Sequence, residues 1–388
     1  MRRLMLGLCV TLAACGGGDT GGSLGPDDST HPAFAACGSG PLFTRLPVDA
    51  SLIDLVAVVG GVGAPGHTLP TAHAGFMTTR ADVPLVAPGD LAITAVRRTR
   101  YVQSPTRQGE LDFALDFQAC TQVRGWFGHV TRLASTIDTT RFRWSECRSY
   151  DTAEERVEAC TATGLRLTVR AGDPLGAMAL SVERGFRALD VGLVDARVTH
   201  PFAAPGRHPP DNRSAVCPWE AFDAASQAVL FGKLRDPARP SLVPSGTPRC
   251  GTMNVDVSGT AQGVWADPSI TGVLAGDERR YLALVNDPYQ PQTALALSLG
   301  PTELGARVAI VPRATSGRVN RAFDQITADD ALHCYGPDQG APTMSWLLRL
   351  APTGRLRIAR VVHGVGASPC GAAPATWSMP TTALEFVR

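Results

Sequence analysis

From Leu111 to Phe117 large apolar side chains fall on every second residue: Leu111, Phe113, Leu115 and Phe117 alternate with Asp112, Ala114 and Asp116. A period of two places successive side chains on opposite faces of an extended chain, so this run predicts a strand with one face against a core. Similar short runs recur at Leu52–Val59, Leu91–Val96, Leu165–Val169, Leu189–Asp195, Tyr281–Val285, Ala294–Leu299, Val308–Val311, Ser345–Leu350 and Leu356–Val361. Between them stand many of the 40 glycines and 30 prolines of the 388-residue chain. Runs this short, punctuated this often, point to a mainly β protein. One stretch, from Trp219 to about Leu234, has helical character, with Asp211 or Ser214 as possible start signals.

The N-terminus has the pattern of an export signal. Arg2 and Arg3 precede an apolar run from Leu4 to Leu12, which is too short to span a bilayer. It ends in Leu12-Ala13-Ala14-Cys15, which resembles a bacterial lipoprotein lipobox, so residues 1–14 read as signal peptide and Cys15 as the lipidation site. Residues 15–36 are rich in Gly, Asp, Ser and Pro and predict a flexible tether. The expected location is the cell envelope, with the membrane as partner through the lipid. With Cys9 removed and Cys15 acylated, Cys37, Cys120, Cys147, Cys160, Cys217, Cys250, Cys334 and Cys370 remain. An even set in an exported chain reads as disulfides. Pairing by proximity in sequence gives 147–160, 217–250 and 334–370, leaving 37 with 120. The net charge of +1 argues against a nucleic-acid partner.

The Pro-rich, polar stretch from Thr199 to Arg213 suggests a boundary, dividing the chain into 37–205 and 206–388. The second part is expected to be an antiparallel β sheet or small barrel with disulfides. The first part carries the residues that suggest chemistry. His67 and His73 flank Pro70, which breaks any helix between them, so His67 falls on a turn and His73 opens an extended run. Imidazole is the commonest metal-binding side chain, but two rings cannot close a site. Asp190 is the candidate third ligand: it stands among Leu189, Val191 and Leu193, on the polar face of its run. His129, after Trp126-Phe127-Gly128, is the candidate reactive group.

Residues 60–195 resemble the M23 (lysostaphin-like) metallopeptidases. The resemblance rests on His67 and His73, on Val83-Pro84-Leu85-Val86-Ala87-Pro88-Gly89-Asp90, on Trp126-Phe127-Gly128-His129-Val130-Thr131-Arg132-Leu133, and on Val169-Arg170-Ala171-Gly172-Asp173-Pro174-Leu175-Gly176, in the family's order. It implies a lysostaphin-like β-sheet groove holding one zinc ion and cutting peptide cross-links of peptidoglycan. On that pattern His67, His73 and Asp190 would hold the metal and His129 would assist proton transfer or polarise the scissile carbonyl. The chain departs from it twice. The first pair is two positions longer than the family's, with His in place of Asp. The final His-x-His is replaced by Ala188-Leu189-Asp190, so one reactive histidine is missing. The expected function is therefore a divergent zinc peptidase of the envelope. The alternatives are a degenerate M23-like domain that binds wall or protein partners without cutting, and a recognition protein working through its C-terminal half.

Overall fold

The computed structural model describes residues 34–105, 107–151, 155–178, 180–181, 185–253 and 256–388. The segment expected to be a signal peptide, the expected lipidation site Cys15 and most of the expected tether lie outside the described residues. The protein is mainly β, built from antiparallel ladders and four disulfides.

The N-terminal half forms one 12-stranded sheet. Its strands are β1 (Leu55–Ala57), β2 (His73–Thr78), β3 (Val83–Val86), β4 (Leu91–Gln103), β5 (Leu111–Cys120), β6 (Val123–Leu133), β7 (Ser145–Asp151), β8 (Arg156–Ala162), β9 (Leu167–Val169), β10 (Pro174–Met178), β11 (Leu180–Ser181) and β12 (Arg187–Asp195). The main path runs β1-β2-β12-β6-β5-β4-β8-β7, so β12, last in sequence, lies between β2 and β6. Residues 135–163 widen the sheet: the β7–β8 hairpin, bridged by Cys147–Cys160, pairs with β4.

Alternation on β5 holds from Leu115 to Phe117 but not before it. Leu111 is 43% exposed and Asp112 is 9% exposed, the reverse of the expected pattern. Beside this stretch the β5–β6 register slips by one residue, with Phe113 opposite Val130 but Leu115 opposite Phe127. The extra residue on β6 is a bulge, and the local geometry around Asp112 is set by what the bulge presents.

Helix α1 (Ala224–Gly232) is capped by Asp223, whose carboxylate accepts the Ser226 amide at 2.8 Å. Asp211 and Ser214 belong to a separate short turn and do not start the helix. The chain around α1 packs on the N-terminal sheet. Trp219 packs against Phe76, ring centroids 4.7 Å apart and tilted by 57°, and donates its indole N–H to Ala57 O at 3.0 Å. Phe222, Leu230, Leu234 and Cys250 join the same core as Phe117 and Phe127. Residues 206–253, placed with the second part by composition, thus complete the first core.

The C-terminal strands form two open four-stranded sheets, not one sheet or a closed barrel. The first holds β13 (Gly263–Ala266), β14 (Tyr281–Asn286), β15 (Ala294–Leu299) and β16 (Arg307–Pro312); the second holds β17 (His333–Tyr335), β18 (Met344–Leu350), β19 (Leu356–Val362) and β20 (Leu384–Phe386). They share a core of Leu284, Leu295, Leu297, Leu299, Trp346, Leu348, Ile358 and Phe386. The opposite face of the first sheet carries Ala283 and Ala296, and there it meets Val62 and Leu69 from the N-terminal half. Small residues on that face let a loop lie close, which is how the two halves touch beside the histidines.

Candidate metal centre

Three neighbouring strands position the nominated residues. Asp190 sits on β12 opposite Gly75 of β2 and Gly128 of β6. Both partners lack a side chain, which leaves the carboxyl room between the strands. A Cβ at Gly128 would come within 3.3 Å of the Asp190 Cβ. His73 opens β2 and turns its ring toward the same point, with Nδ1 at 3.5 Å from Asp190 Oδ1.

His67 comes from the preceding loop. There Gly63 and His67 exchange both backbone bonds, at 2.6 and 2.8 Å, closing a tight turn around Pro65. The turn places the His67 ring 5.9 Å from that of His73, edge to face.

His129 is the bulge residue of β6, with φ of 64°. A non-glycine residue in this left-handed region is strained, and such strain persists only where the surroundings enforce it. The bulge swings the ring out of its regular place. Nε2 then lies 3.2 Å from Asp190 Oδ2 and Nδ1 3.0 Å from Asp112 Oδ2. Asp112 also accepts the Tyr101 hydroxyl at 3.3 Å. Arg107 stacks over the Tyr101 ring at 4.3 Å and is held by Glu155 at 2.9 and 2.5 Å. This second row braces the site from the β4–β5 hairpin.

Electrostatics follow from the arrangement. Burial opposes ionisation of Asp190, but His73, His129 and His67 together hold its carboxyl well below the usual carboxylate range. Burial likewise opposes charge on His129, yet Asp190 and Asp112 outweigh it and hold the ring as imidazolium well above the ordinary histidine value. For His67, whose outer edge is open to solvent, burial and then the neighbouring His73 push the pKa down to about 4. The shift favours the neutral ring, the form that donates a lone pair to a metal.

His67, His73, His129 and Asp190 thus lie in one cluster drawn from segments far apart in the sequence. Among the described residues, no three His, Cys, Asp or Glu side chains are gathered tightly enough to hold a metal ion as they stand. Asp190 instead spends its two oxygens on His73 and His129. The donor set of two imidazoles and one carboxylate is nonetheless one that zinc accepts, and a cation would draw on the lone pairs now turned to ring protons. The fit is one of donor chemistry, not of present spacing. Ala188 stands two residues before Asp190 on β12 and is 3% exposed; it supplies no reactive group.

The eight cysteines form 37–120, 147–160, 217–250 and 334–370, all structural and none at this centre. His208 pairs with Asp256 at 3.2 Å, and His363 with Ser345 at 2.9 Å, both apart from the cluster. Asp112 is the residue that sequence reasoning missed. It sits in an alternating run beside Asp116, where an acid reads as solvent-facing, and no local signal sets it apart. Its Oδ1 is buried without a hydrogen-bond partner among the described residues, an unusual cost for an ordinary surface acid.

Comparison of the chain with known protein families, with curated proteins and with solved structures returns no match.

Proposed function

We propose that the protein is a cell-envelope lipoprotein whose N-terminal sheet carries a divergent, M23-like zinc peptidase centre acting on peptidoglycan peptides or a related substrate. The supporting observation is convergence: His67, His73 and Asp190 come from a loop and two strands and meet beside His129. In this reading His67, His73 and Asp190 hold one zinc ion, whose chemistry when bound is to acidify a water toward neutral pH. His129, braced by Asp112, presents an N–H at Nε2 that can polarise a substrate carbonyl or hand over a proton. Tyr101 and Arg107 fix Asp112 and the hairpin, so the ring is held and not free to swing.

One observation favours a second reading, in which the domain binds wall or protein partners without cutting. Ala188 leaves His129 as the single reactive imidazole, and both of its nitrogens are engaged by carboxylates. Elemental analysis after zinc-replete purification separates the readings. The enzyme reading expects about one zinc per wild-type chain, strongly reduced in His73→Ala, together with release of peptides from cell-wall material. A wild-type chain without bound metal ends the enzyme reading. Bound metal without peptide release leaves the binding reading.

A further inference from the structure

The loop that delivers His67 is only half supported by its own domain. Gly60 and Thr71 bond across its base, at 2.8 Å, and Gly63 and His67 close its tip. The amides that follow His67 point elsewhere. Leu69 N–H donates at 2.9 Å to Oε2 of Glu278, just before β14 in the C-terminal half, and the Thr68 amide faces the same carboxyl. Thr68 is fully buried, so its amide has no access to water. Val62 and Leu69 seat their side chains against Val264, Tyr281 and Val285 of the first C-terminal sheet.

Glu278 is poorly placed for any other task. Its neighbours Arg279 and Arg280 are taken by Asp277 and Asp267. Burial pushes its carboxyl up to about 8, with only the two loop amides working the other way. Burying an acid without a cation costs free energy unless its oxygens are satisfied, and here the groups that satisfy them are the amides one and two residues beyond a metal-ligand candidate. An apolar side chain would fill the space but leave the Leu69 amide without its acceptor.

We propose that Glu278 is a positioning residue for His67, so that the C-terminal half completes the metal centre. This rests on the zinc reading above. Groups that orient a ligand from behind typically change metal affinity tenfold to a hundredfold when removed.

The test uses the full chain, stripped with a chelator and titrated with zinc against a chromophoric competitor. Glu278→Ala is expected to weaken zinc binding by about tenfold or more, with Glu278→Gln, which keeps one acceptor oxygen, falling between it and wild type. Leu348→Ala, in the distant C-terminal core, is the control: it lowers thermal stability but leaves zinc affinity unchanged. Wild-type affinity in Glu278→Ala overturns the inference, as does an equal loss in Leu348→Ala. If the wild type takes up no zinc, the metal reading fails instead. The hold on the loop is then read from the His67 ring resonances by NMR, which shift in Glu278→Ala or Glu278→Gln and not in Leu348→Ala. Unmoved resonances overturn the inference on that route.

Discussion

The N-terminal sheet and the C-terminal pair of sheets are made of similar strands but are put together differently. The C-terminal ladders run without a register shift among the described residues. Strand β15 is buried along its whole length, leucines to one side and small residues to the other. The N-terminal ladders slip repeatedly, and the slip in β6 is where His129 turns toward Asp190. Regular ladders bury apolar area efficiently but present side chains only at the pleat's fixed spacing. An irregular ladder loses some of that burial and gains the freedom to aim a side chain. The difference teaches where chemistry can sit in this fold: beside the bulge, with the regular half serving as the wall behind it.

The comparison can be broken by showing that the two halves respond alike. The largest effect is expected in the regular core. Leu348→Ala removes a fully buried side chain and should cost about 2–5 kcal/mol by denaturant unfolding. Zinc uptake should be unchanged; loss of both together would mean that the centre has no independence from the C-terminal packing. A smaller effect is expected at Gly192 on β12, where a Cβ would lie 2.2 Å from the Trp126 ring of the neighbouring strand. Gly192→Ala must push Trp126 aside, costing about 1–3 kcal/mol, and should weaken zinc binding because β12 carries Asp190. A Gly192→Ala protein with wild-type stability and zinc binding would show that β12 shifts freely and does not hold the site.

The smallest effect concerns the second row and is read in chelator-treated protein. His129 is held above its unfolded value of about 6.5 by burial-opposed contacts with Asp190 and Asp112. A raised folded value means that its stabilising contribution is full below about pH 6.5 and disappears as pH rises through the folded value. Asp190, held low, contributes in the opposite sense: its share is present above the usual carboxylate range and lost on acidification through the folded value. Asp112→Asn removes one of the two carboxylates on His129, so the ring's NMR titration midpoint should move down toward 6.5. The stability difference from wild type should be larger at pH 6 than at pH 9. An unmoved midpoint would remove Asp112 from the centre.

Much of the scaffold could be read along the chain, because strands and turns are local. Short apolar runs between turn residues marked β12, β14, β15, β18 and β19, and closeness in sequence was enough to pair Cys147 with Cys160 or Cys334 with Cys370. The same local signals singled out His67, His73, His129 and Asp190 as residues whose chemistry needed a place. Other features have no local signature. Alternation failed at Leu111 and Asp112, since a one-residue slip in the partner strand changes which neighbours a side chain meets without altering its own sequence. Composition put the boundary within Thr199–Arg213, between residues 205 and 206, yet Trp219 and Leu230 pack into the earlier core, because a Pro-rich stretch shows where the chain bends and not which core it returns to.

By itself, then, the sequence determined a disulfide-bonded, mainly β chain and a short set of candidate ligands, and it raised the expectation of export. Tertiary structure alone decided that β12 inserts between β2 and β6, that His129 occupies a strained bulge against Asp112, and that Glu278 reaches back to the His67 loop. The physical reason is range. Turn and strand preferences act over a few residues, whereas register, bulge position and the burial of a carboxyl depend on partners 17 to 209 residues away.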